Sequence, residues 1–527
     1  MQATRSRVAC LRFPLARLMN DPRLKRLDDH RLSVHNDFEI PVTLFAGEDV
    51  PVESAAVDEL ESVLSLSETA TSLAAHAPSL FDADPHVDRV AITPDFHKGA
   101  GIPIGTVLRS TGFAVPAAIG NDINCGMRLH VTGLDAERVR GELDAIETRL
   151  RHLFFEGGRS IPMTRVQRAS LFQEGLTGLR NTVPASQTEG LWRAFHELSD
   201  EEHATVHHGG SMPADGTPGL GEFLGPVDNS LTRDGQIGSI GGGNHFVELQ
   251  RVERVLDGPT AHAWGLRQGH LCVMVHSGSL AIGRAAGLRI RDLLRDAWPI
   301  AHRQPANGIL PLPTGDAARG TFDSFWASMS NAANFAFANR MFLALMALTG
   351  VRDVLGDFDA GTLYDAPHNL VWREDISGVP TFVHRKGACP ARGFSEMAGT
   401  PFEYYGEPVL VPGSMGASSF ILAGRGNAES LHSASHGAGR QMSRGDAMRG
   451  REQEFADFLE RFRVVTPVDF RRQDIKLRRD IVDKKLADLK KEAPFAYKGI
   501  GPVIETLRGA QLAQPVAELS PLLTVKG

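Results

Sequence analysis

The sequence predicts an α+β protein folded as one large unit, on three observations. Short apolar runs punctuated by glycine and proline recur through the chain and read as strands. Longer stretches carry apolar residues at helical intervals. No internal repeat, low-complexity tract or flexible linker divides the 527 residues into independent parts. With 42% hydrophobic and 23% charged residues the composition is that of an ordinary globular protein, and the length suffices for a large core.

Residues 1–20 carry Arg5, Arg7, Arg12 and Arg17 but no acid, which reads as a basic N-terminal tail ahead of one domain spanning 21–527. A β-like stretch at 40–45 precedes a helical segment at 54–75. From 90 to 131, runs such as AITPDFHKGAGIPIGTVL and FAVPAAIGNDINCGMRLHV predict strands joined by loops that approach something closely, so this region builds a site. A helix-rich insertion is expected at about 135–208 and an exposed loop at 209–229. VELQRV and LCVMVH resume the strands, and SFWASMSNAANFAFANRMFLALMALTG predicts one long buried helix ending at Gly350. Short strands follow at TFVHRKG, PVLVPG and SFILAG. Near the end, RRQDIKLRRDIVDKKLADLKK puts Ile475, Val482, Leu486 and Leu489 on one face of a charged helix with a solvated basic outer face.

The net charge of −7 argues against nonspecific coating of nucleic acid but leaves room for a local basic groove. The four cysteines, Cys10, Cys125, Cys272 and Cys389, stand far apart with no CxxC pair. That disfavours a disulfide scaffold or zinc ribbon and fits a reducing compartment, so the cytoplasm is the expected location. The longest apolar run, around 341–351, falls short of the roughly 18–20 residues that span a bilayer, and no membrane association is expected.

Chemistry-bearing residues cluster at predicted strand ends. DINC supplies Asp122 and Cys125, GGGNHFVE supplies His245, VMVHSGS supplies His276 and YDAPHN supplies His368. A carboxylate, a thiolate and three imidazoles make a divalent-metal site, and a thiolate can bridge two ions; by ligand chemistry alone zinc is as acceptable as manganese. Phosphate-handling groups share these neighbourhoods: backbone N–H groups of Gly241 to Gly243, the Asn244 amide, and His384, Arg385, Lys386, Arg440 and Arg444. In LHSASHGAGR, His436 stands in a glycine-rich turn beside Arg440, where an imidazole nitrogen can attack phosphorus; taken alone, the stretch also fits an ordinary turn. Asp95 and His97 in PDFH read equally as neighbours of a second metal or as turn residues. There is no P-loop ending, no GxGxxG and no GxSxG elbow, which removes support for ordinary kinase, dehydrogenase and α/β-hydrolase readings.

Taken in order, PDFHKGAGIPIG, DINCGMR, GGGNHFVE, HSGS, AANFAFANR, DAPHN, VHRKGA, VPGSMGASSF, HGAGRQMSR, AYK and the terminal VKG resemble the RtcB family of RNA ligases, from about Thr93 to the C-terminus. The resemblance implies a single large domain of packed β-sheets surrounded by helices. It implies GTP- and Mn²⁺-dependent joining of an RNA 3′-phosphate or 2′,3′-cyclic phosphate to a 5′-hydroxyl, as in RNA repair or tRNA splicing. By position in the matching motifs, Asp122, Cys125, His245, His276 and His368 take the roles of ligands to two Mn²⁺ ions, and His436 that of the guanylylated nucleophile. Asn244, Glu248, Ser414, Ala438 and Lys526 fall at guanylate contacts, with Glu248 and Lys526 candidates for base recognition. The sequence departs from the family pattern where Asn124 replaces the first glycine of GCGM, and where Leu280 and Ala281 replace the arginine and glycine of SRG. The missing arginine is expected to hold RNA phosphate, and Arg284, with Arg440 and Arg444, is the candidate to do so instead. Two other readings stay open at this level: a metal-dependent phosphoesterase, and a noncatalytic RNA-binding paralogue.

Overall fold

A computed structural model of the protein describes residues 21–299, 302–376 and 378–527; the basic tail expected at 1–20 lies outside the described residues. Two large sheets organise the chain. The first has seven strands in the order Leu24–Arg26, Arg31–Val34, Val42–Phe45, His86–His97, Ile104–Thr111, Val379–Lys386 and Asn369–Ile376. The second runs Ala360–Pro367, Gly126–Asp135, His270–Ser277, Phe246–Val255, Ala513–Val525, Ser419–Gly424 and Pro408–Val411, with Arg463–Val465 added beside Ala513–Val525. Within these sheets Val42–Phe45 runs parallel to His86–His97 and Arg463–Val465 to Ala513–Val525, while the other neighbours are antiparallel. This is the α+β architecture the sequence predicts.

The second sheet is covered on both faces, which explains why its strands read as nearly continuous apolar runs. Val247, Leu249, Val273 and Val275 share a core with the long helix Arg319–Leu355. Their alternating neighbours Phe246, Cys272 and Met274 enter a second core with Met127, Leu129 and Leu519. The long helix is apolar almost all round and buried from Ala327 to Leu348. By length and composition Asp316–Leu355 passes for a membrane span, yet 94% of its most apolar window is buried inside the protein. It is the central post of the fold.

That helix does not end at Gly350. It continues to Leu355 and stops at Gly356, whose φ of 82° suits glycine. A Cβ on Gly350 would come within 2.6 Å of the Leu150 side chain, so Gly350 allows a close helix crossing with Leu143–Phe155 rather than marking a stop. The segment at 209–229 also differs from the expected exposed loop. Met212, Leu220 and Leu224 are buried, and the Asn334 amide donates to the Met212 carbonyl while its oxygen accepts from the Met212 N–H. The helical stretch at 54–75 is two helices, Ser54–Leu64 and Leu66–His76, and the charged C-terminal helix splits into Gln473–Lys476 and Arg479–Lys490. The segment 135–208 contains five α-helices.

One buried ion pair ties this scaffold to the site. Arg340 on the long helix is fully buried and pairs with Asp365 at 2.7 Å. It also donates to the carbonyls of Asn124 at 2.6 Å and Ser277 at 3.1 Å. Three separate stretches, the DINC turn, the HSGS strand end and the strand before His368, are thus fixed to one guanidinium.

Candidate active site

Register places the site residues together. Gly126 lies opposite Pro367 and Ser277, Phe246 opposite His276, and Val247 opposite Val525. Asp122, Cys125, His245, His276, His368 and Lys526 therefore gather at one end of the second sheet. A cavity of about 910 Å³ opens between this end and the end of the first sheet carrying His97, Ile104 and Lys386. Its wall includes Asp122, Cys125, His276, His368 and His436 together with Asn244, Glu248, Ser414, Ala438 and Lys526.

Two ligand groups form around one sulfur. Asp122, Cys125 and His245 make the first; Cys125, His276 and His368 make the second, each with its ligand atoms within 4.8 Å of one another. The Cys125 Sγ stands 3.3 Å from Nε2 of both His245 and His276, and His276 Nε2 is 3.3 Å from His368 Nε2. A test of whether cations fit comes from the proton positions. The Ile240 carbonyl can only accept, so His245 donates to it from Nδ1 at 3.0 Å and turns Nε2 to the Asp122 carboxylate at 2.8 Å, where a proton or a cation must lie between them. A carboxylate, a thiol and imidazole nitrogens converging on one point are donors that suit a divalent metal, which would take the place of that proton. Burial drives His276 and His368 well below the usual imidazole range, which keeps them neutral and able to ligate. Burial would raise the Asp122 carboxyl, but His245 and Cys125 hold it at about 2. Burial, with Asp122, pushes the Cys125 thiol well above its ordinary value, and a bound cation would draw that proton off.

Asn124, where the family pattern has glycine, adopts φ 54°. Asparagine is the side chain that best tolerates this left-handed conformation, and its amide donates to the Ala333 carbonyl at 2.7 Å. The turn is therefore kept without the glycine. A Cβ on Gly278 would come within 2.3 Å of Asp122 Oδ1, so glycine is needed there for the carboxylate to sit as it does.

His436 is held in one orientation. Its Nδ1 donates to Asp95 Oδ2 at 2.5 Å and its backbone N–H donates to the same oxygen at 3.2 Å, so that Nε2 faces away from Asp95 and, among the described residues, makes no hydrogen bond. Thr93 donates to the other Asp95 oxygen at 2.5 Å. Burial would raise the Asp95 carboxyl, but His436 and Thr93 keep it below the carboxylate range. The His436 ring centroid lies 4.7 Å from that of His368, joining the histidine to the metal cluster. Asp95 thus orients His436 and belongs to neither ligand group; His97, on the cavity wall, donates from Nδ1 to the Asp95 carbonyl at 2.7 Å.

Glu248 and Lys526 are both nearly fully buried and line the cavity. Burial raises Glu248 to about 7 against the pull of Thr524, Gln250 and Lys526, and lowers Lys526 to about 8. The Lys526 ammonium donates to the Gly243 carbonyl at 2.6 Å, bringing the glycine run to the C-terminal strand.

Several sequence candidates are placed differently. Arg284 is exposed and outside the cavity wall; Arg291, two turns further along the helix Leu280–Ala297, is on it. Leu280 has φ 51° and packs against Gly241. Arg440 and Arg444 line the cavity but share the Glu492 carboxylate at 3.0 and 2.9 Å. His384 accepts from the Val115 N–H, and Arg385 donates to Ser433 and to the Leu431 carbonyl, so both are structural. Sequence reasoning did not single out Lys98, Arg291, Gln304 or Glu492, all on the wall; Arg291 shares the helical face of Arg284 two turns further on, so helical phase does not separate the two.

An α+β scaffold that brings a metal-ligand cluster and an oriented histidine into one cavity is that of an enzyme. The chain belongs to the RtcB family: the family model described as tRNA-splicing ligase RtcB matches residues 81–527. Among relatives, the RNA-splicing ligase RtcB of Mycobacterium tuberculosis is 33% identical over 82% of this chain and 96% of its own length. The tRNA-splicing ligases RtcB of Thermococcus kodakarensis and Aeropyrum pernix are 31% and 30% identical, each over 83% of this chain and 87% of their own length.

Proposed function

We propose that this protein is an RNA ligase that joins 3′-phosphate or 2′,3′-cyclic phosphate ends to 5′-hydroxyl ends, using GTP and Mn²⁺ through a guanylate on His436. The observation that carries this reading is the free Nε2 of His436, aimed by Asp95, beside His368 of the metal cluster. Family membership supports it. Asp122, Cys125 and His245 would hold one ion and Cys125, His276 and His368 the other, with Cys125 shared. When bound, such ions supply Lewis-acid stabilisation of phosphoryl oxygens.

The chain's own residues account for the rest. In the neutral ring, with Nδ1–H donating to Asp95, the lone pair is on Nε2; a bond from it to the α-phosphorus of GTP forms as the bond to pyrophosphate breaks, and the Nδ1 proton stays shared with Asp95. Glu248 and Lys526 offer an acceptor and a donor to the base, while Asn244, Ser414 and Ala438 line its approach. Water opens a cyclic end to the 3′-phosphate; that phosphate takes GMP from His436, and the 5′-hydroxyl displaces GMP to seal the strand. A reducing compartment such as the cytoplasm suits a site that needs the Cys125 sulfur free. The reading is tested by offering RNA with 3′-phosphate and 5′-hydroxyl ends: joined product that requires both GTP and Mn²⁺ supports it, and joining only of 3′-hydroxyl to 5′-phosphate ends contradicts it.

A further inference from the structure

The cations on the cavity wall differ in what they already hold. Lys386 and Lys526 donate to the carbonyls of Ile102 and Gly243 at 2.9 and 2.6 Å. Arg440 and Arg444 share the single Glu492 carboxylate, and Arg295 pairs with Asp292 at 2.9 Å. Among the described residues, Arg291 and Lys98 remain on the wall with side chains in no hydrogen bond or ion pair. A charged group left without a partner in a cavity that binds polyanions is available to one of them.

Arg291 is also placed by the helix that carries it. Leu280–Ala297 rests on the loop before the first metal ligand: Cβ atoms on Gly283 and Gly287 would come within 2.9 Å of the Asn121 carbonyl and 3.1 Å of its side-chain oxygen. Asn121 directly precedes Asp122. Arg291 follows Gly287 by four residues on the same face, about 6 Å further along the axis. Gly287, Ile290 and Arg291 all face the cavity. A guanidinium one turn from the metal-ligand loop presents a planar fork matched to phosphate, which a lysine ammonium does not.

We propose that Arg291 grips the terminal phosphate of the RNA strand, making it the residue that distinguishes a phosphate end from a hydroxyl end; this rests on the RNA-ligase reading above. The step is binding only, with two N–H groups donating to phosphate oxygens. The test compares the Kd for two RNAs identical except for a 3′-phosphate or a 3′-hydroxyl, on the Mn²⁺-loaded full chain without GTP. Wild type, Arg291→Ala, Lys98→Ala and Arg284→Ala are measured side by side. The expected result is that Arg291→Ala loses a preference for the phosphate end of about tenfold to a hundredfold, while its affinity for the hydroxyl RNA and the behaviour of Arg284→Ala stay as in wild type. An unchanged preference in Arg291→Ala, or its loss in Lys98→Ala instead, overturns the proposal. Because GTP is left out, a wild-type protein that attaches no GMP would sink the ligase reading without disturbing this comparison.

Discussion

Replacing Asp95 by asparagine removes the charge beside His436 while leaving an acceptor for its Nδ1–H. The fold should survive. In Asp95→Asn the side-chain oxygen can still accept from the His436 Nδ1–H, and the new amide can turn toward Thr93, whose hydroxyl has a second acceptor in the Gly105 carbonyl at 3.2 Å. What is lost is the charge on a 2.5 Å hydrogen bond to a side chain that gains positive character as Nε2 bonds to phosphorus. A charge-assisted hydrogen bond contributes about 1.5–3 kcal/mol, so the rate of GMP attachment should fall by roughly tenfold to a hundredfold. Asp95 is in neither ligand group, so metal content should not change. Single-turnover attachment of labelled GMP gives the rate, and elemental analysis of the same samples gives the metal. An undiminished rate would refute the part assigned to the Asp95 charge, and loss of metal with the rate would show that Asp95 is a ligand.

Cys125→Ser should lower metal occupancy more than loss of any one histidine, because Cys125 alone belongs to both ligand groups; full loading on elemental analysis would remove it from the site. Gly278→Ala should also lower metal occupancy, since its Cβ would displace the Asp122 carboxylate, and an unaltered metal titration would count against that steric reading. Glu248 makes stability depend on pH. The folded chain keeps a proton up to about 7 that an unfolded chain releases near 4.5, so stability should fall as pH rises between those values and level off above. The difference amounts to about 3 kcal/mol. Urea unfolding of Glu248→Gln should show a flatter profile across that window, and an identical slope in both proteins would exclude Glu248 as the source.

How much of this was legible in the sequence follows from how local each signal is. Asp122, Cys125, His245, His276 and His368 each stand at the end of an apolar run beside glycine, serine or asparagine, and such positions become strand ends in a shared sheet. Their gathering could be anticipated because the antiparallel register brings those ends to one side. The role of Asp95 could not be, since its partner lies 341 residues away and no spacing rule links them. Arg284 is near Leu280 in sequence, whereas Arg291, on nearly the same helical face but two turns further along the axis, is the one that reaches the cavity wall, and where along the helix the cavity lies is not written in the sequence. Gly350 looks like a helix stop because glycine has two uses, and only the neighbouring Leu150 shows that close packing is the one in force. The segment 209–229 reads as an exposed loop for a related reason: its polar composition does not reveal the buried asparagine that reaches it from another element.

The most direct measurement of the central claim is to incubate the full-length protein with α-labelled GTP and Mn²⁺ and run it on a denaturing gel. Label should remain on wild-type protein, be released by acid, and be missing from His436→Ala prepared with an unchanged metal content. Label retained on His436→Ala, or no label on metal-loaded wild type, would contradict the assignment of His436 as the nucleophile of this cavity.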